Sequence, residues 1–389
     1  MTGKQTGILL ISDITGYTTF LNSSELEHAQ DTLRSLLELL VDHTSSPLII
    51  SRLEGDAVIS YAPRGSYLQG QTIVELIERT YLDFRRALDL MVLNTTCTCK
   101  ACRNISNLDL KFFVHYGSFM LEPLHTYTEL VGSDVILLHR LTKNSVVEKT
   151  DTKAYVLYTQ EAVDELGIDE FAESMHRHVE TYEDFGEVTS YIEDMHVLWE
   201  DEKSHSTLSV QPVDAPFSVE MEIPLSKAQS WDYVTGPEYV AILNGSETAR
   251  VDNKRDGRIG QDAIYYCAHG TSITRQTIID WQPPDEFTRA SDPIYGVNPV
   301  NTTRLISIEA GTRVVFLLSL ADGGHWITRF VFTVIFIRLI GIRGFKKRAR
   351  ELKQRILADV EEGITIQPTV RSVSGDEVET AALESLAAR

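Results

Sequence analysis

ISDITGYTTFL (residues 11–21) and RLEGDAV (52–58) each place one aspartate where an apolar run meets a glycine-containing turn. The first stretch completes a run of strand length that ends at Asp13, and the second reads as the turn of a hairpin with Asp56 at its tip. If the strand and the hairpin share a sheet, the two carboxylates meet at one edge. Carboxylates that close repel each other unless a cation lies between them, and oxygen ligands favour Mg²⁺ or Mn²⁺. Either aspartate alone is more simply a turn residue.

The surrounding pattern indicates an α+β fold. Apolar residues recur at helical spacing over 24–43, where Ser24 and Glu27 have the spacing of a capping box, and again over about 71–93. Strand-like residues fill 110–121, and a helix is predicted over 135–141. This order predicts an α/β sandwich with one face of the sheet covered by helices.

Several motifs resemble those of class III nucleotidyl cyclases. DITGYTTFL (13–21) resembles the family's DIxGFTxL signature, and RLEGDAVIS (52–60) resembles its second motif, in which a GD pair sits at a hairpin tip. LKFFVHYG (110–117), ELVGSDVILLHRL (129–141) and DFGEVTSY (184–191) resemble later segments. The resemblance covers roughly residues 6–200 and implies a ferredoxin-like cyclase domain over 1–205. It also implies a homodimer whose active sites lie between two chains and convert a nucleoside triphosphate to a 3′,5′-cyclic nucleotide and pyrophosphate.

The resemblance assigns roles residue by residue. Asp13 and Asp56 match the Mg²⁺ or Mn²⁺ ligands, and Arg140 matches the catalytic arginine that stabilises transition-state charge. Arg52 and Glu129 fall where the family selects its purine, and their charge signs weakly favour adenine. The backbone that would face the triphosphate is that of Ile14, Thr15, Gly16 and Tyr17.

Two expected contacts do not match. The asparagine that orients the ribose in the family falls at Ile136, and the phosphate-binding lysine falls near Thr189 or Ser190. Asn144, one turn beyond Arg140, cannot replace the asparagine without a shift of the helix. Loss of one preorganised donor costs about a hundredfold in rate, so turnover is expected to be slow, altered or absent.

A cysteine cluster lies between these motifs. Cys97, Cys99 and Cys102 fall within CTCKAC (97–102), and thiolates at this spacing ligate Zn²⁺ when a fourth ligand is available. His115 is the nearest candidate, although a histidine in a strand is more commonly a core residue. Free thiols and a reversible disulfide are the alternatives.

A polar stretch over 201–215 indicates a domain boundary. Beyond it, a strand, a short helix around Trp231, several strands and a long helix over about 325–361 resemble the helix-grip fold of the START and polyketide cyclase (SRPBCC) superfamily, over 214–362. That resemblance implies a curved antiparallel sheet around the final helix and a hydrophobic small molecule or lipid between them. The residues expected to line the pocket are Tyr265, Tyr266, His269, Trp281, Phe316 and Trp326. The tail, 366–389, is expected to be disordered.

Charge constrains the partners. The 56 acidic and 36 basic residues give a formal net charge of −20, which argues against nucleic-acid binding. The apolar segment over 325–344 is interrupted by Arg329 and Arg338, and a basic stretch follows it. This predicts either a helix packed on its own domain or a peripheral contact with an anionic membrane surface. The first residues do not resemble a signal peptide, so we expect a cytoplasmic protein, with contact at the inner face of the membrane as the alternative.

Three functions remain from the sequence alone. The first is a homodimeric cyclase whose second domain senses a hydrophobic ligand. The second is a catalytically degenerate cyclase-fold module that binds nucleotide and metal, or only dimerises, beside that ligand-binding domain. The third is a membrane-associated lipid carrier.

Overall fold

The computed structural model describes residues 3–23, 26–66, 69–94, 104–124, 127–204, 215, 217–292, 299–320 and 342–362. Its first sheet has eight strands in the order β2-β3-β1-β4-β6-β8-β7, with β5 paired to β4. The strands are β1 (Gln5–Thr15), β2 (Ile49–Glu54), β3 (Ala57–Pro63), β4 (Asp109–Leu124), β5 (Tyr127–Val131), β6 (Tyr155–Thr159), β7 (His176–Tyr182) and β8 (Gly186–Asp194). All its ladders are antiparallel except β4 with β6.

Helices lie on both faces of this sheet, not on one face as predicted. They are α1 (Tyr17–Ser23), α2 (Leu26–Thr44), α3 (Gly70–Asn94), α4 (Ser133–Leu141), α5 (Val146–Thr150), α6 (Gln160–Leu166), α7 (Asp169–Glu173) and α8 (Met195–Ser204). Leu36 of α2 and Ile77 of α3 belong to the core cluster on one face. Leu138 of α4 belongs to the cluster on the other face. Burial on both faces explains why β1 reads as a continuous apolar run.

The alternation of side chains along β1 decides which way Asp13 points. Ile8 and Leu10 pack in the cluster with α2 and α3, whereas Leu9 and Ile11 pack in the cluster with α4. Side chains alternate between the faces of a sheet. Asp13 therefore lies on the α4 face, at the end of β1 where the buried run gives way to the turn.

The second half of the chain forms a seven-stranded antiparallel sheet in the order β10-β11-β12-β13-β14-β15-β9. Its strands are β9 (Phe217–Ile223), β10 (Thr248–Asp252), β11 (Ile264–His269), β12 (Ser272–Gln282), β13 (Glu286–Ser291), β14 (Pro299–Ile308) and β15 (Gly311–Leu320). Its helices are α9 (Lys227–Thr235), α10 (Pro237–Asn244) and α11 (Ile342–Glu362). Strands are predicted over 217–225, 262–270, 273–281, 302–310 and 312–320, and these and the short helix around Trp231 are confirmed, whereas β10, β13 and α10 were not predicted.

The final helix packs against one face of this second sheet. Leu352 and Ile356 of α11 are buried in a cluster with Val219 of β9 and Phe316 of β15. The helix predicted over 325–361 is thus described from Ile342 onward, and its earlier part lies outside the described residues, as does the tail 366–389. None of the helices in the described ranges has the length and apolar character needed to cross a bilayer.

The N-terminal part of α3 docks on the second half of the chain. The buried Glu75 carboxylate accepts hydrogen bonds from Trp231 Nε1 at 3.2 Å and Trp281 Nε1 at 2.8 Å. Nearby, Arg258 forms an ion pair with Glu78 at 2.8 Å. Burial is the largest influence on Glu75 and raises the pKa of its carboxyl to about 7. The two sheets are therefore joined through a buried polar contact.

Candidate functional site

The structure places Asp13 and Asp56 at the same edge of the first sheet. Strand β1 pairs with β3 so that Asp13 lies opposite Ala57, the residue that follows Asp56. The backbone N–H of Ile14 donates to the Asp56 carbonyl oxygen at 3.2 Å, which fixes the hairpin tip beside the end of β1. The juxtaposition predicted for the two aspartates therefore occurs. Within the described residues, no group of three or more metal-ligating side chains is arranged around a common point.

The electrostatics of the pair match two carboxylates held close together. Burial raises the pKa of Asp13 to about 6, with the charge of Asp56 acting in the same direction and Lys111 acting against it. Burial also raises the pKa of Asp56. Ionising both carboxylates is thus costly in the absence of a cation, which is the behaviour expected of a site that holds one.

Two residues that the sequence analysis did not single out complete this end of the sheet. Lys111 of β4 lies directly across from Asp13 in the β1–β4 register. Its Nζ is 5.1 Å from the ring centroid of Tyr155. The alternation of side chains along β4 would have predicted the face of the sheet on which Lys111 lies. Its position beside Asp13 was not predictable, because it depends on the pairing of β1 with β4, almost a hundred residues away in the sequence.

The turn after Asp13 requires a glycine. Gly16 has φ of +88°, and a Cβ built on it would lie 3.0 Å from the carbonyl oxygen of Asn107. The carbonyl of Gly16 accepts a hydrogen bond from the backbone N–H of Phe20 at 2.9 Å, which starts α1. A larger residue would be strained both by conformation and by contact. The backbone of Ile14, Thr15, Gly16 and Tyr17 is therefore held in one compact turn.

The two residues matched to purine selection lie together. The guanidinium of Arg52 on β2 donates to the carboxylate of Glu129 on β5 and also lies 3.2 Å from His139 Nε2. Side-chain exposure is 30% for Arg52 and 28% for Glu129, so the pair is accessible to a ligand. Burial lowers the pKa of His139, with Glu54 and Arg52 acting in opposite directions. His139 was not among the predicted site residues.

Arg140 makes no polar contact with the aspartates in the described part of the chain. It is exposed on α4, as is Ile136, a residue with 55% of its surface accessible. No hydrogen bond or ion pair among the described residues joins Arg140 to Asp13 or Asp56.

The residues near the two unmatched contacts have structural roles. Asn144 Nδ2 donates to the Leu141 carbonyl at 2.7 Å, and Asn144 Oδ1 accepts from Val146 N at 2.9 Å and from Tyr155 Oη at 3.0 Å. Asn144 is thus fully engaged in the turn after α4. Ser190 is buried, and its hydroxyl donates to the His178 carbonyl at 3.3 Å. Thr189 Oγ1 accepts from Arg177 at 3.3 Å.

His115 is engaged within the sheet domain. Its Nδ1 lies 2.9 Å from Thr159 Oγ1, and its Nε2 lies 3.7 Å from Asp134 Oδ1. Asp134 also accepts hydrogen bonds from the backbone and hydroxyl of Ser118, and the His115 contact is the largest influence holding the pKa of Asp134 down, at about 2. The predicted zinc ligands Cys97, Cys99 and Cys102 lie outside the described residues, so the zinc site stays a prediction.

The expected lining of the second domain needs one correction. Tyr265 is buried in a cluster with Cys267 and Ile278. Phe316 belongs to the cluster beneath α11, and Trp281 packs against that cluster. Tyr266 points to the opposite face, where its ring contacts Arg250 at 4.8 Å, because adjacent residues of a strand alternate. Trp326 lies outside the described residues.

Sequence comparisons match part of the chain. The DUF2652 family, described as a protein of unknown function, matches residues 33–151, a segment that includes Asp56, Glu129 and Arg140 and begins after Asp13. The chain is 34% identical over 116 residues to the uncharacterized protein Rv2561/Rv2562 of Mycobacterium tuberculosis (strain H37Rv), covering 29% of this chain and 52% of that protein. It thus spans about half the length of this curated relative.

Solved structures of cyclases are similar over about half of the chain. A bacterial light-regulated adenylyl cyclase matches with a TM-score of 0.38 and 12% identity, covering 51% of this chain and 58% of that one. The adenylyl cyclase CyaB from P. aeruginosa matches with 0.36 and 14%, covering 50% and 96%. The guanylyl cyclase Cya2 matches with 0.34 and 11%, covering 49% and 92%. Scores this low establish neither the activity nor the site residues of this chain.

Proposed function

We propose that the N-terminal domain is a class III nucleotidyl cyclase-like signalling module that binds a nucleoside triphosphate and converts it to a 3′,5′-cyclic nucleotide and pyrophosphate. One observation carries the proposal: Asp13 and Asp56 lie together at a sheet edge, with the hairpin tip bonded to the end of β1. These aspartates belong to the two sequence motifs, 13–21 and 52–60, that resemble the most specific motifs of the family, and the two motifs lie next to each other in the sheet.

The donor set fits Mg²⁺ or Mn²⁺. Such ions are commonly held by one or two carboxylates together with substrate phosphates and water, so two protein ligands suffice. When bound, the ions would favour attack of the ribose 3′-oxygen and neutralise charge on the phosphates. The compact turn over Ile14, Thr15, Gly16 and Tyr17 would place backbone N–H groups toward the triphosphate.

A homodimer completes the site in this proposal. Arg140 is exposed and has no polar contact with Asp13 or Asp56 among the described residues, and in this proposal the arginine that stabilises transition-state charge comes from a second copy. Arg52 and Glu129, already paired and partly exposed, would contact the purine, with ATP weakly favoured over GTP.

A second candidate is a binding module without turnover. Ile136 has no polar atom for the ribose, and Asn144 uses both ends of its amide in its own turn. A missing donor costs about a hundredfold in rate, so nucleotide binding or dimerisation can persist where cyclisation is lost. The exposed Ile136 is the observation that favours this alternative.

For the second domain we propose a helix-grip arrangement that binds an apolar ligand between its sheet and α11 and regulates the first domain. Support comes from the packing of Leu352 and Ile356 on the sheet and from the buried contact of Trp231 and Trp281 with Glu75. A cytoplasmic location, with peripheral contact at the inner membrane face, is part of this proposal. Unchanged partitioning in a sedimentation assay with anionic liposomes would refute the membrane contact.

The test of the cyclase proposal is product formation by the purified chain. ATP and GTP are supplied separately with Mn²⁺ or Mg²⁺, and cyclic nucleotide is resolved from hydrolysis products by chromatography. We expect a slow cyclic product that disappears in Asp13→Asn and Asp56→Asn. Asp89→Asn is the matched control, because Asp89 is exposed on α3 and the charge change is the same. Binding without product would select the binding module, and no binding would refute both.

A further inference from the structure

Arg289 of β13 is fully buried, with 0% of its surface exposed. Its Nε, Nη1 and Nη2 are all buried, and none has a hydrogen-bond partner in the described part of the chain. A guanidinium keeps its proton in proteins and carries five N–H donors. A buried charge without a counter-charge or acceptors is strongly unfavourable. A residue of this kind therefore calls for a partner that is not among the described side chains.

The position of Arg289 shows where that partner would lie. Arg289 is two residues from Phe287, so both side chains project from the same face of the sheet. This is the face on which α11 packs, because Phe287 belongs to the same cluster as Leu352. The guanidinium carbon is 5.2 Å from the ring centroid of Phe287 and 5.4 Å from that of Tyr265. Aromatic faces attract a cation, but they accept no hydrogen bonds along its N–H edge.

Two further polar atoms on the same face also lack partners. Asn301 lies opposite Arg289 in the β13–β14 register, and Thr303 lies opposite Phe287. Asn301 Oδ1 and Thr303 Oγ1 are buried and, within the described residues, unpaired. Buried polar groups in native proteins are almost always hydrogen-bonded. Three neighbouring exceptions on one face of one sheet mark a polar spot in an otherwise apolar interior.

The side chains around this spot do not neutralise it. Glu75 is bonded to Trp231, Trp281 and Gln71. Cys267 Sγ accepts from Asn244 Nδ2 at 3.2 Å. Among the described residues no carboxylate forms an ion pair with Arg289. The described side chains thus leave room for the negative group of a bound molecule to pair with Arg289.

The surroundings limit what that molecule can be. A single guanidinium balances one negative charge, which suits a carboxylate better than a phosphate monoester with its charge of about −1.5 to −2. Arginine also matches the two oxygens of a carboxylate with two parallel hydrogen bonds. Tyr265, Phe287 and the apolar cluster beneath α11 would accommodate only an apolar remainder.

We propose that the second domain contains a binding site for the carboxylate of an apolar acid, with Arg289 as its charge partner and Thr303 as an additional donor. The proposal rests on the proposed function, in which this domain binds an apolar ligand, and it specifies that the polar head group of that ligand is a carboxylate. It does not require turnover at Asp13 and Asp56.

The experiment is titration of the full chain with octanoate, dodecanoate, dodecanol and dodecyl phosphate below their micelle concentrations, followed by tryptophan fluorescence and calorimetry. We expect a carboxylate to bind at least about tenfold more tightly than dodecanol, a difference that corresponds to about 1.4 kcal/mol. Arg289→Met should abolish this preference. Arg313→Met is the control, because Arg313 lies on β15 of the same sheet but is exposed and paired with Glu222.

Unliganded stability supplies an independent readout. Because Arg289→Met removes an unpaired buried charge, its melting temperature without ligand should equal or exceed that of the wild type. A clearly lower melting temperature for both Arg289→Met and Arg289→Lys would overturn the proposal, since the guanidinium would then be a satisfied structural group. Equal binding of dodecanoate and dodecanol would overturn the head-group inference but leave the apolar ligand standing. Tighter binding of dodecyl phosphate would overturn the choice of carboxylate, and failure of every probe would overturn both.

Discussion

Lys111 lies directly across β1–β4 from Asp13, so one carboxylate of the proposed metal site has a lysine on one side and the Asp56 hairpin on the other. The lysine stabilises the ionised form of Asp13, whereas burial and Asp56 oppose it, and the opposing influences prevail. The site therefore favours a positively charged ligand even though the Lys111 ammonium group is already nearby.

This balance predicts a stability gain on neutralising Asp13. In EDTA at pH 8, Asp13→Asn should raise the free energy of unfolding by roughly 1–2 kcal/mol, because one pKa unit corresponds to about 1.4 kcal/mol and the site is partly solvated. The same variant should lose any increase in melting temperature produced by Mn²⁺ in the wild type. The measurement is chemical denaturation with and without Mn²⁺. A less stable Asp13→Asn protein in EDTA would contradict the cost assigned to burying the ionised Asp13 carboxylate beside Asp56.

The position of Arg140 predicts complementation between chains. Asp13→Asn and Arg140→Met should each be inactive alone, but a mixture that exchanges subunits should recover about a quarter of wild-type activity, because half of the dimers are mixed and each has one intact site. The measurement is cyclic-nucleotide formation after co-incubation or co-expression. Mixing two preparations of Asp13→Asn is the control, and an inactive mixture despite demonstrated subunit exchange would exclude a site shared in this way.

The contact between Arg52 and Glu129 predicts an effect on selectivity without a large effect on stability. Both side chains are about one-third exposed, and exposed ion pairs contribute less than about 1 kcal/mol. Arg52→Met and Glu129→Gln should therefore unfold within about that margin of the wild type while changing the ratio of ATP to GTP affinity. Titration with the two nucleotides under identical Mn²⁺ concentrations tests this. An unchanged ratio in both variants would remove the two residues from the purine site.

The buried Glu75 predicts a pH-dependent stability. Its folded-state pKa is about 7, above the ordinary value of 4.5. Between these values the unfolded chain releases a proton that the folded chain retains, so this group lowers the free energy of unfolding as pH rises from about 4.5 to 7. The full effect is about 3 kcal/mol. Glu78 and Arg258 also influence the pKa of the Glu75 carboxyl, and neither residue is changed in the variant that tests this effect.

Denaturation of the wild type and Glu75→Gln across this pH range isolates the effect. The stability of the variant relative to the wild type should increase with pH up to about 7 and then level off. Glu161→Gln, an exposed carboxylate on α6 of the same domain, serves as the control. A relative stability that stays constant with pH would show that Glu75 titrates normally.

The local sequence determined the individual strands and helices of this protein. It also put Asp13 and Asp56, where the chemistry is proposed, at points where strands end. Apolar runs bounded by glycine turns fixed β1 and the hairpin of β2 and β3, and helical periodicity fixed α2 and α3. Because the hairpin is short and pairs with β1, the meeting of Asp13 and Asp56 was predictable. Strands with weaker patterns, such as β10 and β13, were not, since their stability comes from neighbours in the sheet.

Tertiary structure alone decided the environments. Lys111 reaches Asp13 through the register of strands distant in sequence, and Glu75 is buried only because α3 docks on Trp231 and Trp281. In the sequence, Arg289 is one arginine among many charged residues. Its significance comes from complete burial between two aromatic rings, and burial is a property of the packed chain because it depends on which distant segments exclude water from the side chain.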